Sequence, residues 1–327
     1  MGKTAKQPAK QQSPKKSTQK HRRKKRATRR ILPWILILVF AIAGITAYTL
    51  HRNPNLWESI TNWVSNTFSS SNIVMPKGET AIHFIDVGQG NAVLIQTAGG
   101  TMLIDGGDNG LGERVLTYLR LVGVDSLTYV VATHPHADHI GGLVDVLNQM
   151  PVGTLIMPPV AHTTRTFERF LDAIENSNIP VREPIASNRY ALGEGSFTIV
   201  APNSSGYANL NDYSVSLRFD FGATSFIFTG DAERISENEM VASGHNLRAD
   251  VLYVGHHGSN TSTTQNFLDA VFPSIAVISV GANNIHGHPH GAVMDRLNVA
   301  NARIYRTDHH GNIVITTNGV ILAVEHD

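Results

Sequence analysis

The stretch from Thr128 to Leu143, TYVVATHPHADHIGGL, runs from an apolar strand into three histidines and an aspartate, all within positions 134–139. His134 and His136 are spaced by one residue and can point at one metal ion. Asp138 and His139 can point at a second ion beside it. Neutral imidazole nitrogens and carboxylate oxygens suit zinc, manganese or iron(II). Two such ions about 3.5–4 Å apart can share a water, lower its pKa and stabilise charge on a phosphoryl or carbonyl oxygen. A polar surface loop would explain a lone histidine. It does not explain four ligand-type residues at the mouth of a buried strand. The chain has 16 histidines and no cysteine, so any metal must be held by His, Asp or Glu.

Strand ends are rigid mounts for such ligands, and the loops that follow strands carry chemistry. From Thr80 onward the chain has the elements to provide them. AIHFIDV, NAVLIQT and TMLIDGG read as strands with glycine-rich joints. GERVLTYLRLVG has helical spacing and a terminal glycine. The strand SLTYVVATH is followed by a helix, HIGGLVDVLNQM, then a strand, TLIMP, and the amphipathic helix TTRTFERFLDAIENSN. FTIVAP, VSLRFDF and TSFIFTG are strands, and strand–helix alternation then resumes to the final ARIYRT, NIVITT and VILAVEH. Clustered strands followed by alternation, twice over, suggest two mixed sheets with helices outside, an αββα sandwich; periodicity alone gives only an α/β or α+β domain, and the motifs decide for the α+β sandwich.

The N-terminal region is a different material. Residues 1–30 hold thirteen Lys and Arg and no acid, so they cannot build a core and read as a disordered tail. Ile31 to Leu50, ILPWILILVFAIAGITAYTL, contains no charge. Twenty residues at about 1.5 Å rise each just cross a hydrocarbon core of about 30 Å. We expect a single transmembrane helix over 31–50, with 1–30 cytoplasmic by the positive-inside rule and the catalytic body extracellular. Residues 51–79, with Trp57, Trp63 and Phe68, read as a juxtamembrane linker, and 80–327 as the hydrolase domain. Beyond residue 30 the chain has 14 basic residues against 26 acidic ones, so the body is acidic.

The motifs carry a resemblance. THPHADH resembles the HxHxDH signature of the metallo-β-lactamase fold superfamily, LIDGG its first motif and FTGD the motif whose aspartate touches both metals. HFIDVGQGNAVLI, FTGDAE, VLYVGHHGSNTST, ISVGANNIHGHPH and YRTD further resemble the metallo-β-lactamase (nuclease-like) domain of ComEC-type competence proteins, from about Thr80 to Val324. The resemblance implies His134, His136, Asp138, His139, Asp231 and His257 as ligands of two divalent ions, zinc or manganese. Asp105 would orient the ligand loop. Of His256 and His257 one is implied as a ligand and the other as a proton donor or phosphate contact; we take His256 for the second role. His288 is implied on the substrate side or as the remaining ligand, and Asp138, His256 and His288 are the catalytic candidates. Asp86, Gln89 and Ser214 are candidates to face the substrate or stand behind the ligands; Asp86 can equally form a turn and Ser214 begin a strand. His286, His290, His309 and His310 are read as incidental. Two departures stand out. NDYS, Asn211 to Ser214, has no histidine where most of the superfamily has its third motif, and Asn91 replaces the usual acid after DVGQG. We expect one membrane span in place of the family's multi-spanning channel.

The implied activity is a metal-dependent phosphodiesterase or DNase. The acidic body tempers the DNA reading, because nucleases gain affinity from Lys and Arg at phosphates. A local patch of Arg165, Arg169, Arg189 and Arg303 would supply them. Small or wall-linked phosphodiesters fit an outward-facing enzyme about as well. A lactamase or lactonase is a further alternative, and a metal-binding anchored scaffold is the non-enzymatic one. The partners implied are a phosphodiester, DNA among the options, and the membrane through 31–50; no obligate protein partner is implied.

Overall fold

β2 (Val93–Thr97) and β3 (Gly100–Ile104) carry apolar side chains on both faces, so neither face can be left in water. Val93, Ile95, Met102 and Ile104 join one buried cluster, while Leu94 and Leu103 join another. The computed structural model, which describes residues 77–327, meets this demand with two stacked sheets, each covered by helices on its outer face.

In the first sheet β1 (Thr80–Phe84), β2 and β3 are antiparallel neighbours. β4 (Leu127–Val131), β5 (Val152–Ile156) and the short β6 (Val181–Arg182) extend it in parallel. Its outer face is covered by α1 (Gly112–Leu121), α3 (Leu143–Gln149) and α4 (Arg165–Ser177), with the single turn α2 (Ala137–Ile140) between β4 and α3. In the second sheet β7 (Arg189–Leu192), β8 (Gly195–Ala201), β9 (Ser216–Phe221) and β10 (Thr224–Phe228) are antiparallel. β11 (Val251–Tyr253), β12 (Ile275–Ile278) and β13 (Arg303–Arg306) then follow β10 in parallel. Met240 of α5 (Arg234–Ala242), Phe267 of α6 (Gln265–Val271) and Val293 of α7 (Gly291–Val299) cover the outer face. After the turn α8 (Thr307–His310), β14 (Ile313–Thr317) and β15 (Leu322–His326) return to the first sheet, where β14 pairs antiparallel with β1. Phe84, Phe228 and Tyr253 meet between the sheets, with ring centroids 5.3–6.4 Å apart.

The αββα sandwich expected from the sequence is therefore present. The single helix expected over HIGGLVDVLNQM is not. It breaks at Gly141–Gly142 into α2 and α3, because the 105–108 loop takes over its backbone. Gly106 N–H donates to His139 O (2.8 Å), and Gly142 N–H donates to Gly107 O (3.0 Å). Among the described residues no helix is long and apolar enough to cross a membrane. The basic tail (1–30), the expected span (31–50) and the linker up to residue 76 lie outside the described residues.

For function, the parallel strands matter most. β3, β4, β10, β11 and β12 all end at one edge of the sandwich, where open α/β sheets collect ligand-binding loops.

Candidate metal centre

Each of those five strand ends supplies part of one cluster. Asp105 follows β3, His134 to His139 follow β4, Asp231 follows β10, His256 and His257 follow β11, and Ser279 follows β12. Two sets of side chains bring one ligand atom each within 4.8 Å of one another: His134, His139 and Asp231, and Asp138, His139 and His257. His139 belongs to both. His136 stands at the edge of the first set, its Nδ1 2.9 Å from His134 Nε2.

The bonds behind these rings assign their tautomers. His139 Nδ1 lies 2.8 Å from Asp105 Oδ2, which can only accept, so Nδ1 carries the proton and Nε2 a lone pair. His257 Nδ1–H donates to the Ser279 carbonyl (3.0 Å), with the same result. Behind His134 the Thr133 hydroxyl gives its proton to Asp105 Oδ2 (2.8 Å), which leaves its oxygen to accept from His134 Nδ1, 3.1 Å away. Three lone pairs thus face the two carboxylates, Asp138 and Asp231. Buried His139 Nε2 and Asp231 Oδ1 have no hydrogen-bond partner. Lone pairs facing carboxylates are stable only around shared positive charge, and imidazole with carboxylate is the donor set for zinc or manganese. The residues therefore fit a divalent cation.

A proton can take the place of the cation among these carboxylates. Burial alone would lower the His139 pKa, but Asp231, Asp138 and Asp105 around it more than reverse this and raise it well above its usual value. Burial would raise the Asp231 carboxyl; His139 and His257 instead hold it well below the usual carboxylate range. Asp138 is lowered in the same way, burial being outweighed by His139 and His257. His134 is pushed well below its usual value, first by burial and then by His139 beside it.

The remaining sequence candidates fall at several distances from this centre. Asp105 is fully buried, and besides His139 it accepts the Thr133 amide (2.8 Å). Ser214 is also fully buried. Its Oγ accepts from the Asp231 amide (3.0 Å) and stands 3.4 Å from His134 Nδ1, so it supports two ligands. Asp86 is turned away: its carboxylate takes the Gly88 amide and Arg114, the turn role left open in the sequence. Gln89 Oε1 accepts from the Gly281 amide (3.2 Å), tying the 86–90 turn to the loop that carries His288. His288 is half-buried, its ring 5.6 Å from that of His256, and burial together with His256 pushes it down to about 4. His290 Nδ1 accepts from the Asn260 amide (3.0 Å), which makes it a loop brace.

Residues to which the sequence reading assigned no role complete the support. Thr133, directly before His134, binds both Asp105 oxygens. Asn91 N–H donates to the Asp138 carbonyl (3.1 Å), while its side chain accepts from Tyr253 Oη (2.8 Å). A neutral amide suits that buried phenol contact. Gly230 has φ +53°, and a Cβ there would sit 2.8 Å from Thr133 Cβ; only glycine lets the Asp231 turn pass this close. His162 meets His136 at the rim, ring centroids 5.7 Å apart. The arginine patch does not assemble. Arg189 and Arg303 lie on β7 and β13, the opposite edges of the second sheet, and Arg169 is bound to Asn109.

The comparisons with known proteins point the same way. The family model "Metallo-beta-lactamase superfamily" matches residues 85–282, which run from the end of β1 past His257. ComE operon protein 3 of Bacillus subtilis is 32% identical over 253 residues, 72% of this chain and 33% of that protein. Competence protein ComA of Neisseria gonorrhoeae is 29% identical over 277 residues, 84% of this chain and 38% of that protein. Recombination protein 2 of Haemophilus influenzae is 32% identical over 235 residues, 70% of this chain and 28% of that protein. The chain spans about a third of the length of these relatives.

Proposed function

Because the chain belongs to the metallo-beta-lactamase superfamily, we propose that it is a metal-dependent phosphodiesterase, DNA being its leading substrate, anchored by residues 31–50 with its catalytic domain outside the membrane. One observation carries the hydrolase reading: His134, His139 and His257 all turn Nε2 toward Asp138 and Asp231. The names of the relatives, two competence proteins or operon products and a recombination protein, support DNA.

Divalent ions held by these residues, zinc or manganese, would polarise a phosphoryl oxygen and acidify a water. The protein's own groups do the rest. Asp138 has 32% of its side chain exposed, whereas Asp231 is buried. Asp138 is thus the carboxylate that can reach and orient an attacking water. His288, its ring 6.3 Å from that of His257, whose Nε2 faces Asp138, is neutral at pH 7, so it can donate one N–H to an oxygen of the departing group. His134 also borders a small cavity walled by Ile140, Met157 and Phe167.

The test uses the purified chain, stripped of metal and then restored with zinc or manganese, on circular DNA, bis-p-nitrophenyl phosphate and nitrocefin. We expect phosphodiester cleavage that falls at least about 1000-fold in Asp138→Ala. Cleavage of neither phosphodiester with either metal would sink the proposal. Protease added to intact cells should remove the catalytic domain; full protection would reverse the topology. The dispersed arginines favour a second reading, in which small phosphodiesters are the substrate. Hydrolysis of bis-p-nitrophenyl phosphate without nicking of DNA would select it.

A further inference from the structure

Four imidazole nitrogens face one oxygen. Asp231 Oδ2 lies 3.3 Å from His139 Nε2, 3.6 Å from His256 Nε2, and 3.9 Å from both His134 Nε2 and His257 Nε2. His256 belongs to neither ligand set described above, yet it is as near the shared carboxylate as residues that do. Its surroundings repeat theirs. His256 Nδ1 is 3.3 Å from Glu233 Oε1 and 3.2 Å from Thr261 Oγ1. Asn211 Nδ2 donates to the same glutamate oxygen (2.9 Å), and Asp212 Oδ1 accepts the Glu233 amide (3.1 Å). The carboxylate is therefore fixed from two sides. With Thr261 Oγ1 at hydrogen-bond distance and the Glu233 carboxylate 3.3 Å away, Nδ1 is the nitrogen that holds the proton, which leaves a lone pair on Nε2.

That lone pair points toward a carboxylate oxygen at a distance too long for a hydrogen bond. Two acceptors so placed repel unless they share a positive charge. The backbone shows how the ring gets there. His256 and His257 both adopt left-handed conformations, φ +50° and +53°, a strained backbone for residues other than glycine. The bond from His256 N–H to Gly230 O (3.1 Å) and that from Ser259 N–H to His256 O (2.7 Å) hold them. In an extended strand consecutive side chains diverge to opposite faces. Here the double left-handed turn sends both rings to Asp231.

We propose that His256 is a further metal-ligand imidazole of this centre, and that Glu233, held by Asn211, is the positioning residue that keeps its Nε2 lone pair on the metal side. The proposal rests on the reading of the centre as a metal site. It replaces the proton-donor role expected for His256, since a ring that holds its proton at Nδ1 has none at Nε2 to give. It also gives the histidine-free segment Asn211–Ser214 a part in ligation: Asn211 steadies Glu233, and Ser214 steadies His134 and Asp231.

The test is a cobalt(II) titration of the full, metal-stripped chain purified in detergent, read by visible absorption and by calorimetric stoichiometry. Wild type should bind two ions. His256→Ala should weaken one of the two steps at least tenfold, leave the other within twofold and change the absorption band; added imidazole should restore the band. Glu233→Ala should weaken the same step about tenfold, within the 10–100-fold range usual for groups behind a metal-ligand histidine. Glu233→Gln, whose amide oxygen still accepts, should weaken it less. Circular dichroism melts establish that each variant is folded, and His256→Gln substitutes if the alanine variant is not. Wild-type affinity for both ions in His256→Ala overturns the ligand assignment. Wild-type affinity in Glu233→Ala overturns the positioning role. Two-ion binding by wild type without phosphodiester hydrolysis sinks the proposed function and leaves this ligand set standing.

Discussion

Replacing Asp105 with asparagine exchanges one carboxylate oxygen for an NH2 group at a fully buried site where every acceptor is in use. Oδ1 accepts the Thr133 amide, while Oδ2 accepts both the Thr133 hydroxyl and His139 Nδ1–H, each at 2.8 Å. An asparagine has two ways to sit. If its oxygen stays on the Thr133 amide, its NH2 meets His139 Nδ1, which must then become an acceptor. The proton moves to Nε2, and the ring loses the lone pair shared by both ligand sets. If the amide flips, its NH2 meets the Thr133 N–H, and a buried donor is left without an acceptor at about 1–3 kcal/mol. Either arrangement also gives up the charge-assisted bond to His139, about 1.5–3 kcal/mol. We expect Asp105→Asn to bind zinc or cobalt about 100-fold more weakly, roughly 2.7 kcal/mol, at the top of the range for groups that orient a metal-ligand histidine. Competition against a chromophoric chelator measures this, with a urea melt of the metal-free protein as control. Affinity within twofold of wild type in a folded Asp105→Asn chain would refute the reasoning, because His139 could then not be a ligand whose tautomer Asp105 sets.

Other contacts carry three more expected outcomes. Ser214→Ala removes the acceptor of the buried Asp231 amide and should lower stability by about 1–3 kcal/mol in urea. Gly90→Ala would place a Cβ 2.6 Å from the Asp138 carbonyl at φ +141°, so it should destabilise by at least about 2 kcal/mol and weaken metal uptake; a silent substitution would mean the loop yields freely. Burial pushes Glu237 up to about 7 although the Thr263 and Thr264 amides donate to it. The native state therefore keeps this proton after the unfolded state has lost it. Its contribution is present at low pH and declines by about 3 kcal/mol as pH rises from about 4.5 to 7. Glu237→Gln should flatten that part of the stability–pH curve relative to wild type, and parallel curves would contradict the assignment.

The sandwich and half of the centre were legible in the sequence alone. Both are local matters: runs such as VLIQT and TMLI have two apolar faces and must be covered on both sides, and THPHADH places its ligands within one turn of chain after one strand. The second half was legible only as motifs, FTGD and GHHGS, without partners. How the halves combine is a matter of tertiary structure. His139 joins both ligand sets, and Asp86 faces Arg114 and not the cluster. Arg189 and Arg303 are separated by the full width of a sheet. Ser214 and Asn211, which carry no metal-binding chemistry of their own, act through His134, Asp231 and Glu233. No periodicity records such relations, because they join residues far apart in the chain, 119 positions in the case of Asp138 and His257. A ligand's type is a property of its residue. Its tautomer and the direction of its lone pair belong to the hydrogen bonds behind it, and those exist only once five strand ends from two sheets have been brought to one edge.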